Sequence, residues 1–112
     1  MGTKTTAPDL PPGTLGMLIP RTLARGRAHG YGIAQQIKNI SDDVLEVGES
    51  SLYPALQRLL LNGFVKAEWG TSENNRRARY YSLTASGRKQ LASERAEFGR
   101  VIAAIQKVLE TA

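Results

Sequence analysis

Apolar positions recur along this chain with two periods, and the switch between them separates its parts. Residues 48–60 place Leu52, Leu56, Leu59 and Leu60 on one side of a helix and Ser50, Ser51, Tyr53, Gln57 and Arg58 elsewhere. Gly48 or Ser50 caps its start, Pro54 falls in or just after the first turn, and Asn62-Gly63 supplies a left-handed stop. Two helical patterns precede it. In the first, Thr14 is the expected N-cap, Leu15, Leu18, Ile19, Thr22 and Leu23 follow as far as Gly26, and Pro20 predicts a bend near Gly16. In the second, which opens at His29-Gly30, Ile33, Ile37 and Ile40 share a face. Between it and residue 48, Leu45 and Val47 alternate with Val44 and Glu46, a pattern that predicts a very short strand.

Beyond Gly63 the period changes to two. Val65, Ala67 and Trp69 alternate with Phe64, Lys66 and Glu68, residues 70–77 are a polar turn, and residues 79–83 alternate again. The prediction is a β-hairpin with a long basic tip bearing Arg76, Arg77 and Arg79. Thr84 then caps a last helix that runs to Leu109. Along it Leu91, Phe98, Ile102, Ile105 and Leu109 form a heptad seam, which Val101, Ala104 and Val108 widen. One helix cannot bury so broad a stripe alone, and a second copy of the same helix is the economical cover, so a homodimer is expected. Residues 1–12 carry no period that would bury a face and read as a flexible lead-in.

Composition sharpens this picture at two points. The chain has 112 residues, enough for one domain with a modest core, and a formal net charge of +5. Residues 76–89 hold five basic side chains and no acid, so the excess is concentrated where a nucleic-acid footprint would lie. There is no cysteine and one histidine, which leaves thiolate chemistry out and gives multi-histidine metal sites and a Ser-His-Asp arrangement no support. No run of 18 apolar residues predicts a membrane span, and a cytoplasmic protein is expected.

Candidate chemistry is concentrated on the polar face of the 48–60 helix. Short hydroxyls, a phenol, an amide and a guanidinium are the groups that reach phosphates and base edges, so this is read as a DNA recognition helix. Tyr31, at the start of the second helix, either meets a phosphate beside free backbone N–H groups or packs. His29 reads as a capping or packing residue, Asp42 and Asp43 as a solvated turn, and Trp69 as packing on the hairpin.

Helix, helix, recognition helix and hairpin is the succession of a winged helix-turn-helix, and three stretches resemble the PadR family of bacterial transcriptional regulators. They are residues 14–26 with His29-Gly30-Tyr31-Gly32-Ile33; Ser51-Leu52-Tyr53-Pro54-Ala55-Leu56 with Arg58-Leu59; and Arg79-Tyr80-Tyr81-Ser82-Leu83-Thr84 with Gly87-Arg88. The resemblance covers nearly everything after Pro12, in the branch with a single C-terminal dimerisation helix. It implies sequence-specific binding of double-stranded DNA as a homodimer, usually to repress a nearby promoter, with Ser51, Tyr53, Pro54 and Arg58 at the groove and Arg79 on the wing. Some members sense phenolic acids or aromatic drugs, which implies a small aromatic effector as a candidate partner, with Phe98 in the place of the aromatic that stacks on it. Pro20 and Leu60 depart from the family pattern.

The resulting expectation is a mainly α fold with a small β-hairpin, in which residues 13–84 form a winged helix-turn-helix and residues 85–112 a dimerisation helix. DNA contacts are assigned to Tyr31, Ser50, Ser51, Tyr53, Pro54, Gln57, Arg58, Arg76, Arg77 and Arg79. Dimer contacts are assigned to Leu91, Phe98, Val101, Ile102, Ile105, Val108 and Leu109. No catalytic residue, metal or cofactor is assigned, since no nucleophile, base and orienting group occur together. A second reading, a winged-helix module that meets an acidic protein partner, differs in its response to competitor DNA.

Overall fold

The computed structural model describes Leu10 and residues 13–111, so the expected lead-in over residues 1–12 lies outside the described residues except for Leu10. The elements run α1 (Leu15–Leu23), β1 (Ala28–His29), α2 (Gly30–Ile40), α3 (Glu49–Leu61), β2 (Val65–Thr71), β3 (Arg77–Leu83) and α4 (Ala85–Glu110). Ile19 from α1, Ile33 from α2, and Leu52 and Leu56 from α3 are fully buried and meet at the centre. Leu23, Ile37, Leu59, Val65 and Tyr81 surround them, so three helices and one face of the sheet share a single core. Ile40, expected on the same face as Ile33 and Ile37, is instead exposed at the end of α2.

Local chemistry sets the ends of these helices. The ring Nδ1 of His29 accepts the backbone N–H of Gly32 at 3.0 Å, which caps α2. Gly48 occupies the N-cap position of α3, and Ser50 lies inside the helix. Pro54 is its sixth residue, a turn later than a proline is best tolerated, and α3 nevertheless continues to Leu61. At its end Gly63 takes φ 74°, and the N–H groups of Phe64 and Gly63 return to the carbonyls of Leu59 and Leu60 at 2.9 and 3.0 Å. That pair of bonds satisfies carbonyls the helix would leave open and turns the chain into β2. Thr14, expected to cap α1, has helical backbone angles and its side chain makes no capping bond, while Pro20 is buried within one continuous helix.

The sheet also departs from expectation. It has three antiparallel strands in the order β1-β3-β2, with Ala28 opposite Tyr81 and Val65 opposite Leu83. The short strand expected near Leu45 and Val47 is absent; residues 44–48 form no regular element. The third strand is Ala28–His29 instead, two residues too short to carry a period and detectable only through pairing with β3. The hairpin tip is also shorter than expected, because Thr71 still pairs with Arg77. Asn75 takes φ 58° and Ser72 bonds across to the carbonyl of Arg76 at 2.7 Å, so the chain reverses tightly within residues 72–76. Arg76 is therefore in the turn, whereas Arg77 and Arg79 belong to β3.

Thr84 joins the wing to α4. Its Oγ1 accepts from Gly87 N–H at 3.0 Å and donates to the carbonyl of Gly63 at 2.7 Å, fixing the first turn of α4 beside the start of β2. Leu91, expected in the dimer seam, is only 7% exposed and is buried within its own chain. From Arg95 to Thr111 every residue is exposed, including Phe98, Val101, Ile102, Ile105, Val108 and Leu109. The molecule measures 56 × 44 × 21 Å, flat and extended by this helix.

Candidate nucleic-acid interface

Burial of Leu52, Ala55, Leu56 and Leu59 fixes the rotation of α3 and turns Ser50, Ser51, Tyr53, Pro54, Gln57 and Arg58 outward together. A groove of 470 Å³ runs from this face to the wing, lined by Tyr31 and Tyr53 on one side and Trp69, Arg76, Arg77 and Arg79 on the other. A second groove of 410 Å³ separates α2 from the start of α3, lined by Gln35, Lys38, Glu46 and Glu49. Tyr31 and Tyr53 line both, so the two phenols stand on the ridge between them. Tyr31 is 70% exposed, which removes the packing account of that side chain.

Tyr53 is held in place by a missing side chain. A Cβ on Gly30 would lie 2.7 Å from the Tyr53 hydroxyl oxygen and about 3 Å from its ring, so only glycine allows the ring to lie over the start of α2. Partial burial raises the Tyr53 phenol above its ordinary pKa of 10.0, and the negative charge of Glu49 and then the nearby Tyr81 add to this. At neutral pH it is an uncharged group able to donate to a phosphate or a base acceptor.

The wing carries its arginines on aromatic rings. In the antiparallel register Trp69 lies opposite Arg79 and Thr71 opposite Arg77, which puts Trp69, Arg77, Arg79 and Tyr81 on one face, the one lining the groove. The Arg77 guanidinium sits 4.4 Å from the Trp69 ring centre, and that of Arg79 5.8 Å from the Tyr81 ring. On the opposite face Arg27 covers Tyr80 at 4.4 Å and pairs with Glu68 at 3.4 Å. Of the expected DNA-contact residues, Tyr31, Tyr53, Arg76, Arg77 and Arg79 come together along the groove, whereas Ser50, Ser51, Pro54, Gln57 and Arg58 are exposed on α3 outside it. Residue types alone do not single out Trp69 and Gly30: one reads as packing, and the other acts by lacking a side chain.

The described residues contain no cluster of histidine or acidic side chains able to hold a metal ion, and no helix long and apolar enough to cross a membrane. What the fold and this surface define is a winged helix-turn-helix. A sequence model of the transcriptional regulator PadR-like family matches residues 21–93, and the chain belongs to that family. A transcriptional regulator from Clostridium thermocellum is similar over 85% of this chain and 92% of its own, with 30% identity and a TM-score of 0.78. A PadR family transcriptional regulator from Eggerthella lenta is 30% identical, over 89% of this chain and 85% of its own, with a TM-score of 0.74. Bacillus subtilis PadR, solved in complex with operator DNA, is 26% identical with a TM-score of 0.64, over 74% of this chain and 46% of its own.

Proposed function

We propose that this regulator binds double-stranded DNA sequence-specifically in the cytoplasm, as a homodimer joined through α4, and represses transcription by occupying an operator. The observation that carries the proposal is the groove that joins Tyr53, on the outward side of α3, to the arginine-bearing face of the wing. Ser51, Tyr53, Gln57 and Arg58 are the groups that enter a major groove and read base edges there. Arg76, Arg77 and Arg79 lie where they neutralise phosphates on the flank. The operator complex of Bacillus subtilis PadR supports the same use of this fold. Exposed apolar side chains from Phe98 to Leu109 support the dimer, since a stripe of that length is rarely left to water.

An effector site fits the same assembly. An open cleft of 320 Å³ between the start of α1 and α4 is lined by Met17, Glu94, Glu97, Phe98 and Val101, with Phe98 able to stack on a planar aromatic compound. Melts of the intact protein with a panel of phenolic acids and aromatic cations test it: a rise in Tm supports an effector, and no response to any compound rejects it.

Competition separates specific DNA binding from a protein-interaction role. An operator-bearing duplex is expected to bind on the order of 10³-fold or more tighter than random duplex at one salt concentration. Equal displacement by both, with retention on an acidic protein partner, would replace this proposal with the interaction-module reading.

A further inference from the structure

Trp69 is the single tryptophan of the chain and it is left 59% exposed on the wing, a position that burial of apolar area does not explain. Its ring is covered on one side by the Arg77 guanidinium, 4.4 Å from the ring centre. The two residues are not directly opposite: Trp69 faces Arg79 across the ladder and Arg77 faces Thr71, so Arg77 reaches the ring along the diagonal. The other two wing arginines are held differently. Arg79 leans over Tyr81 from 5.8 Å, and Arg76 lies in the turn.

We propose that Trp69 is a positioning residue for Arg77, holding its guanidinium edge-on to the groove so that the pair meets a backbone phosphate as one preorganised unit. A guanidinium stacked on a ring loses the use of one planar face and none of its in-plane N–H donors, which are those that fork onto two phosphate oxygens. The ring restricts a flexible side chain before DNA arrives, so less freedom is lost on binding. A lysine at position 77 has a compact charge without a planar fork and does not reproduce this. This role of Trp69 rests on the proposed DNA binding.

The test combines a measurement on the free protein with a double-mutant cycle on DNA. In the free protein the Arg77 side-chain protons are expected to show an upfield ring-current shift that Trp69→Phe keeps in part and Trp69→Ala abolishes. On an operator duplex, Trp69→Ala is expected to weaken binding by roughly three- to thirtyfold, within the range of one cation–π contact. It is expected to leave the salt slope close to that of the parent, because Arg77 keeps its charge, whereas Arg77→Ala reduces the slope by roughly 0.9 log units for one phosphate. Trp69→Phe is expected to restore most of the affinity and Arg77→Lys little of it. In an Arg77→Ala background, Trp69→Ala is expected to have no further effect. Additive losses would overturn the inference and make Trp69 a DNA contact or a support of the hairpin in its own right. An absent ring-current shift would also overturn it. If the parent protein discriminates against no DNA, the functional proposal itself falls and takes this one with it; an intact parent with additive losses removes this one alone.

Discussion

A few single residues set geometry that no side-chain contact could supply. A Cβ on Gly87 would overlap the carbonyl of Phe64, so Gly87→Ala is expected to push the first turn of α4 off β2 and destabilise the fold by about 1–3 kcal/mol, read from chemical denaturation. Gly30 does the same for Tyr53, and its replacement should disturb DNA binding more than stability. Asp42 presents the opposite case. It takes φ 55° at the position following the α2 C-cap, where its N–H returns to Asn39 at 3.2 Å and that of Asp43 to Lys38 at 2.8 Å. Both residues are left-handed, and both carry negative charge at a helix end that favours cations. Asp42→Gly relieves the conformation and one charge together and is expected to raise stability by about 1 kcal/mol, seen as a higher denaturation midpoint with an unchanged slope.

Among the elements, α3 and the wing are proposed to divide the work on DNA, and salt separates their parts. Alanine at Arg76 or Arg79 is expected to weaken binding to all sequences alike and to flatten the salt dependence by roughly 0.9 log units for each phosphate no longer neutralised. Alanine at Gln57 or Arg58 is expected to change which base is preferred, at about 1–3 kcal/mol for each base-edge pairing removed. Binding isotherms on operator and single-substituted duplexes at several salt concentrations would reveal the reverse pattern if the assignment is wrong. The outward face of α3 is legible in the sequence because Leu52, Leu56 and Leu59 mark the buried side so regularly that the rest follows. The same holds for the Gly63 stop and the Thr84 cap, where one residue type has one local use. β1 is not legible, since two residues hold no period and their pairing with Tyr80 and Tyr81 spans half the chain. Nor is the extent of the wing strands, because Asn75 at positive φ closes a tip that polar composition alone makes look longer. Trp69 reads as packing because sequence does not distinguish a ring buried in a core from one offered to a guanidinium.

At the scale of the whole molecule, the unshared face is the far half of α4. Leu91 is buried against its own domain, and every described residue from Arg95 onwards is exposed. If Phe98, Ile102 and Ile105 meet a second copy, Ile105→Glu places an unpaired charge in that contact and is expected to halve the mass measured by light scattering. A dimer mass unchanged by this substitution would remove Ile105 from the interface. Dissociation should also take away most of the affinity for an operator, because two linked readers bind far more tightly than either alone. An assembly of two winged domains joined by α4, each reading one half-site, is tested most directly by selecting bound sequences from random duplex DNA with the intact protein. It predicts enrichment of an inverted repeat whose half-site centres lie about one helical turn apart, roughly 34 Å, or a multiple of it. Recovery of an unpaired single motif, or of no motif at all, would contradict it.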